Sequence, residues 1–214
     1  SDTGTVSIQD TESNLASFLV NANAGTTFNS GDIEIAAANG IFAAGTIASS
    51  TLNGQGGAIT LESDTLIETG SLQAFGGGDV AITSLNAAIS TGDISTSVSI
   101  SPNDPAPPSR AGGSITINAN GNIQTQSLST QGLVAGGDIN LISRDGTITT
   151  GNITSGESIA PFNPDNIPIS SSVPIQYTEV GGRVTLTSRG DIQSGTIITY
   201  ASDTGGSVAL YSSI

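Results

Sequence analysis

Three aspartates that directly precede apolar residues are the first candidates for chemistry in this sequence. Asp32, Asp79 and Asp138 each stand between a glycine and an isoleucine or valine. Pairs of carboxylates hydrolyse glycosidic bonds, and polysaccharide-degrading enzymes cluster several aspartates with Arg, Lys or His. The chain contains neither His nor Lys, and other glycine-led segments carry Ala, Ser or Arg in place of the aspartate. The pattern therefore favours aspartates that shape turns and strand edges, and it predicts no catalytic residue.

Residues 76–82, "GGGDVAI", are similar to one turn of a calcium-binding nonapeptide repeat. A calcium site of that kind needs consecutive turns that donate Asp and carbonyl oxygens to each ion. Because the motif occurs once, we interpret it as a glycine turn before a strand and predict no metal site. The sequence shows no nucleophile–base pair and no phosphate-binding loop, and we expect no cofactor.

The charge of the chain excludes several classes of partner. The net charge is −14, and all four basic residues are arginines. Such a chain is repelled by phosphate backbones and by anionic lipid surfaces, so we expect no nucleic-acid partner. There is no apolar run of the ~18 residues that a membrane helix needs, and we therefore expect no membrane insertion. Without cysteine, the chain forms neither a disulfide framework nor a thiol site.

Short glycine-led segments such as "GDIEI", "GAITL" and "GDINL" recur along the chain and predict a repeat architecture. The first apolar residues of successive segments are 27, 26, 21, 35, 24, 45 and 24 residues apart. A short unit with two long insertions is typical of a solenoid. These leading residues are Val6, Ile33, Ile59, Val80, Ile115, Ile139, Val184 and Val208. The residues two positions later are Ile8, Ile35, Leu61, Ile82, Ile117, Leu141, Leu186 and Leu210.

Each unit continues with two further apolar–x–small segments, which predict three short strands per unit. In the second segment, Thr69, Thr91, Thr125 and Thr150 each follow an isoleucine by two positions. Alternate residues of a strand point to the same side, so we expect these threonines to point inward with the isoleucines. Their hydroxyls must then bond to one another or to nearby backbone groups. An exposed ice-binding array of threonines is the weaker interpretation.

Three strands and three corners per unit predict an all-β fold, a right-handed parallel β-helix. We expect a three-sided solenoid of about eight rungs, the last incomplete, that forms a single domain over residues 1–214. The first unit is irregular, and we place Leu15 and Leu19 on its second and third faces. Glycines that follow the first strand of a unit are expected to adopt positive φ; they are Gly40, Gly121, Gly146 and Gly190.

Two long insertions, residues 97–111 and 156–180, fall at the same corner, between the third strand of one unit and the first strand of the next. All eight prolines lie in them, as expected because proline cannot donate a ladder hydrogen bond. Loops on a rigid scaffold often carry function, and we expect these two to leave one edge about 10 Å apart. The alternative is that they fold over the shaft and cover apolar surface. The candidate partner-binding residues are Asp104, Arg110, Phe162, Asp165, Tyr177 and Glu179.

The repeat units, above all "GGDINLISRDGTITTGNITS" at residues 136–155, resemble the β-helical repeats of filamentous haemagglutinin-like exoproteins. Those are very large bacterial proteins exported by two-partner secretion. The resemblance implies a surface-displayed or released fibre used in adhesion or cell contact. The secretion domain of that family carries an Asn-Pro-rich recognition motif that we do not find here, so the resemblance is to the shaft of such a fibre.

We therefore expect a non-catalytic shaft segment of a large secreted or surface-displayed bacterial adhesin, part of a longer extracellular fibre. The expected location is extracellular or at the bacterial cell surface. The expected partners are a cell-surface glycan or protein receptor, and neighbouring β-helix segments or further copies stacked end to end. The alternative is a β-helical polysaccharide-active enzyme or glycan-binding module.

Overall fold

The computed structural model describes residues 6–10, 15–16, 20–21, 29–51, 55–98, 111–156 and 180–213. These residues form strands, turns and bends, and none of them is helical. The strands, numbered β1 to β22 in chain order, build three sheets in which every pair of neighbours is parallel. The predicted all-β, three-sided parallel β-helix is therefore confirmed.

The first strands of the rungs form an eight-stranded sheet, the first sheet. Each pairs in register with its counterpart one rung away, so that Ile139 lies between Ile115 and Val184. The strands are β1 (Val6–Asp10), β4 (Ile33–Ala37), β7 (Ile59–Ser63), β10 (Val80–Ser84), β13 (Ile115–Ala119), β16 (Ile139–Ser143), β19 (Val184–Ser188) and β22 (Val208–Ser212).

The second and third strands of the rungs form two seven-stranded sheets. The second sheet contains β2 (Leu15–Ala16), β5 (Ile41–Ala43), β8 (Ile67–Thr69), β11 (Ile89–Thr91), β14 (Ile123–Thr125), β17 (Ile148–Thr149) and β20 (Ile192–Gln193). The third sheet contains β3 (Val20–Asn21), β6 (Ile47–Ala48), β9 (Leu72–Gln73), β12 (Ile94–Ser95), β15 (Leu128–Ser129), β18 (Ile153–Thr154) and β21 (Ile197–Ile198). The described residues thus make seven complete rungs and the first strand of an eighth.

The core lies inside the three sheets. Buried and more exposed positions alternate along the strands of the first sheet in rungs two to seven, and the buried ones are mostly apolar. In β16, Ile139 and Leu141 are buried, whereas Asn140 between them is partly exposed. β-branched residues suit such a half-buried extended backbone, and stacking places each one about 4.8 Å from its equivalent in the next rung. Both predicted inward columns are confirmed over rungs two to seven, from Ile33 to Val184 and from Ile35 to Leu186.

The last rung departs from the predicted burial. Val208 and Leu210 stand in register with Val184 and Leu186, but their side chains are 46% and 51% exposed. The reason is that β22 pairs with β19 on one side and has no described strand on its other side. The predicted register of this pair is therefore correct, and its predicted burial is wrong.

The prediction for the irregular first unit is correct for the second face and wrong for the third. Leu15 pairs with Ile41 in the second sheet. In the third sheet it is Val20, and not Leu19, that stands in register with Ile47. A shift of one residue exchanges the two faces of a strand, and this unit lacks the repeated spacing that identifies the inward residue elsewhere.

The corner glycines are required mainly by close stacking. Gly40 has the predicted positive φ, +132°, but Gly121, Gly146 and Gly190 do not. A Cβ atom on Gly146 would lie 2.5 Å from the backbone nitrogen of Asn122, one rung away. The expectation of positive φ is therefore wrong at three of the four corners. At Gly146 the neighbouring rung leaves no room for a side chain, whereas at Gly121 and Gly190 the nearest backbone atoms would lie 3.1 Å from an added Cβ.

The four threonines expected to point inward do so, and three of them bond to the backbone. Thr91, Thr125 and Thr150 are buried, and each hydroxyl donates to the carbonyl oxygen of the following residue at 3.1 Å. The hydroxyl of Thr69 is buried and has no hydrogen-bond partner among the described residues. The hydroxyls therefore do not form a ladder with one another.

Candidate functional site

All six candidate partner-binding residues lie outside the described residues. The structure describes only the ends, or roots, of the two insertions. We call the residues between these ends the first segment (residues 99–110) and the second segment (residues 157–179). The residues that flank these segments belong to the stack; they are Val98 and Ala111 for the first segment, and Gly156 and Val180 for the second.

The two segments leave and rejoin the same edge of the β-helix. A short parallel ladder runs along the corner between the third and first sheets, from Ala111 to Ala135, Val180 and Thr204. Ala111 and Val180 are thus two rungs apart, about 10 Å at the spacing of parallel strands. This confirms the predicted relation between the roots, which lie on one edge of the stack.

Buried hydroxyls hold this corner together from the inside. Thr130, which follows β15, donates to the carbonyl oxygen of Gly137 at 2.7 Å. Ser155, which follows β18, donates to the same oxygen at 2.7 Å. Thr96 makes the equivalent bond to Gly113 at 2.5 Å. Because these side chains are fully buried, each bond satisfies polar groups that have no access to water.

The three aspartates that first suggested chemistry have a structural partner each. The Oδ1 atoms of Asp32, Asp79 and Asp138 accept hydrogen bonds of 2.7 to 2.8 Å from the backbone N–H of the equivalent residue in the next rung. Each carboxylate therefore adds one more hydrogen bond between rungs, directly before the first paired residues of the first sheet. This confirms that they shape strand edges.

Sequence reasoning did not identify three further side chains with the same role. Asp93, Asn122 and Asn152 each precede a strand of the second or third sheet, and each Oδ1 accepts from the next rung's backbone at 2.9 to 3.0 Å. The available signal was the same as for Asp138, an Asp or Asn directly before an apolar residue. An Asn or Asp directly before a strand therefore indicates a hydrogen bond to the next rung, in any of the three sheets.

The remaining described carboxylates do not form a metal site. No group of three or more Asp or Glu with metal-binding geometry occurs among the described residues. Glu34, Glu62 and Glu68 are exposed on the outer surface of rungs two and three. Arg189 and Asp145 form an exposed ion pair at 2.5 Å, a type of contact that contributes little stability.

The outer face of the third sheet, next to the segment roots, carries no charged side chain on the strands of its described rungs two to seven. Its outward positions hold uncharged side chains, of which that of Ala48 is buried: Ala48, Gln73, Ser95, Ser129, Thr154 and Ile198. Ser97 and Ser129 share a hydroxyl–hydroxyl bond of 2.8 Å between adjacent rungs. In a chain of net charge −14, this face is one that a neutral or acidic partner approaches without direct charge repulsion.

Comparison of the chain with protein-family models, with curated proteins and with solved structures found no match. Among the described residues there is no helix of the length and apolar character that crossing a membrane requires.

Proposed function

We propose that this chain is a non-catalytic shaft segment of a large secreted or surface-displayed bacterial adhesin or extracellular fibre. In this role the β-helix is a rigid rod, and the two segments are its contact points for a cell-surface glycan or protein receptor. The observation that carries the proposal is the common edge: both segments interrupt the chain at one corner, and the sheets continue past them in register.

The continuity of the sheets supports a role as scaffold. The steps from Val80 to Ile115 and from Ile139 to Val184 span 35 and 45 residues, yet both pairs stay in register. Corner hydroxyls and the Asp and Asn side chains that join successive rungs act within the stack. The rod is thus held by its own repeats, which leaves the inserted segments available for other contacts.

The proposed location of the protein and its proposed family both rest on the repeat sequence. Residues 136–155 resemble the repeats of filamentous haemagglutinin-like exoproteins, and this likeness supports an extracellular or cell-surface fibre exported by two-partner secretion. The uncharged third face beside the segment roots suits contact with a glycan or with a neighbouring β-helix.

The decisive experiment compares the chain with a variant in which both segments are replaced by Gly-Ser linkers of equal length. Binding to bacterial and host cells and to a glycan array is measured for both proteins. The expected result is that the variant keeps its unfolding transition and loses binding. A matched control is Gln124→Ala, an exposed outward position of the second sheet, which is expected to change neither property.

Two results would contradict the proposal. Release of reducing ends from a polysaccharide by the purified chain would indicate the alternative, a polysaccharide-active enzyme. Unchanged glycan binding by the linker variant would place recognition on the rod and would indicate a glycan-binding module.

A further inference from the structure

We propose that two copies of this chain pair side by side and antiparallel along the corner between the first and second sheets. The partner is a second copy of the same rod, and the contact is lateral. This inference goes beyond the shaft role, because it does not depend on what the two segments bind. It rests on the order of charged and apolar side chains along that corner.

The corner between the first and second sheets carries one residue per rung in a continuous column. Each member directly follows a strand of the first sheet, and its N–H donates to the last residue of the preceding rung's strand at 2.9 to 3.4 Å. Successive members are therefore about 4.8 Å apart. We call this column, in rungs three to seven, the charged edge; its members are Asp64, Leu85, Asn120, Arg144 and Arg189.

The rung-three end of the charged edge is acidic. Asp64 is exposed, and it is flanked by Glu62 on the outer face of the first sheet and by Glu68 on the outer face of the second. The described part of rung three contains no arginine, and none of these three carboxylates forms an ion pair with a described residue. This end therefore presents three carboxylates to a partner.

The opposite end of the charged edge is basic. Arg189 forms the ion pair with Asp145, whereas the exposed Arg144 forms no ion pair with a described residue. Arg144 lies three rungs from Asp64, about 14 Å along the rod. Between them is Leu85, whose side chain is 57% exposed, and every other exposed large hydrophobic residue that the structure describes lies at residue 180 or later.

A twofold axis makes this order self-complementary. With the axis perpendicular to the rod and midway between Leu85 and Asn120, Asp64 of each copy faces Arg144 of the other. Both ion pairs form together, because a twofold contact uses the same surface on both copies. A parallel arrangement in register would instead place Asp64 against Asp64 and Arg144 against Arg144, so the charges select the antiparallel orientation.

The strength of the contact follows from its size and from screening. At physiological ionic strength the screening length is about 8 Å, so the charges in contact contribute more than the overall charge of −14 on each copy. The charged edge is about 20 Å long, and a contact of that length buries less area than an obligate dimer does. We therefore expect pairing that depends on protein concentration.

The test exchanges the charges and measures solution mass by sedimentation equilibrium over a range of concentrations. Arg144→Glu and Asp64→Arg each place like charges at both contacts, and each variant is expected to associate about tenfold or more weakly, because two ion pairs are lost. An equal mixture of the two variants restores opposite charges at both contacts of a mixed pair. The mixture is therefore expected to associate at least as strongly as the unchanged protein.

Arg183→Glu is the matched control, because it makes the same charge change on an exposed arginine at the corner between the third and first sheets. It is expected to leave association unchanged, and an effect equal to that of Arg144→Glu would overturn the proposal. The mass of one chain at every soluble concentration would overturn it too, as would a mixture that associates no more than its components.

Thermal unfolding checks that each variant folds. If a charge reversal fails to fold, the neutral variants Asp64→Asn and Arg144→Gln take its place, and unchanged association in both would overturn the proposal. Binding to cells and glycans is measured separately, so failure of lateral pairing is distinguishable from failure of the proposed shaft role.

Discussion

The carboxylate of Asp138 accepts a hydrogen bond from the backbone N–H of Arg183, 45 residues later in the chain, at 2.7 Å. The second segment lies between these two residues, yet they occupy equivalent positions at the start of β16 and β19. The bond therefore joins rungs six and seven at the corner where the chain is interrupted.

Replacing Asp138 by Ala is expected to destabilise the β-helix by about 1 kcal/mol, the usual net value of one hydrogen bond. Asp138→Asn is expected to cost less, because the amide oxygen still accepts the bond. Urea denaturation measures both, with Glu34→Ala as the control on an exposed side chain of the same sheet. Equal stability of Asp138→Ala and the unchanged protein would show that the bond does not contribute.

Substitution of Ile139 tests the buried column of the first sheet. Ile139→Asp is expected to cost several kcal/mol, on the order of 3 or more, because an unpaired charge is buried. Ile139→Val is expected to cost only about 1 kcal/mol, because it removes one methylene group. The thermal unfolding transition is the measurement, and a transition for Ile139→Asp that matches the unchanged protein would contradict the described core.

Gly146→Ala tests whether the corner glycines are required by close stacking. The added methyl would lie 2.5 Å from the Asn122 nitrogen, and overpacking of this kind costs about 1–3 kcal/mol. Gly205→Ala is the control, since its Cβ would meet only the Thr199 oxygen at 3.7 Å. We expect Gly205→Ala to stay within about 0.5 kcal/mol of the unchanged protein. Equal unfolding free energies for the two variants would show that stacking does not select glycine at residue 146.

The corner hydroxyls predict which of two substitutions, Thr96→Val or Thr130→Val, lowers the free energy of unfolding more. Thr96→Val removes the one described side-chain bond to the Gly113 oxygen. Thr130→Val leaves the Gly137 oxygen with the bond from Ser155. Leaving a buried acceptor unsatisfied costs about 1–3 kcal/mol, so Thr96→Val is expected to be the more destabilising change. Chemical denaturation of both variants, with Thr96→Ser and Thr130→Ser as hydroxyl-retaining controls, tests the order, and the reverse order would contradict it.

The architecture could be predicted from the amino-acid pattern alone. Ile33, Ile59 and their counterparts recur at similar spacing with period-two alternation, and that pattern allows a three-sided parallel stack with one register. The same spacing located both insertions at one corner, because the extra residues could stand only between a third strand and the next first strand. The strand-edge role of Asp138 was predicted because other units carry Ala, Ser or Arg at the equivalent position.

The detailed contacts between rungs could be known only from the three-dimensional structure. It showed that Gly146 is required by the neighbouring rung and not by its own φ, that Thr125 bonds to a carbonyl oxygen and not to another threonine, and that Val20 takes the position expected of Leu19. It also brought Val98 and Gly156 onto opposite sides of one peptide plane. Apart from the Thr125 bond, these contacts join residues that are tens of positions apart in the chain, and their distances are a few ångströms. The apolar pattern specifies which residues stack, but it carries no information on distances at that scale.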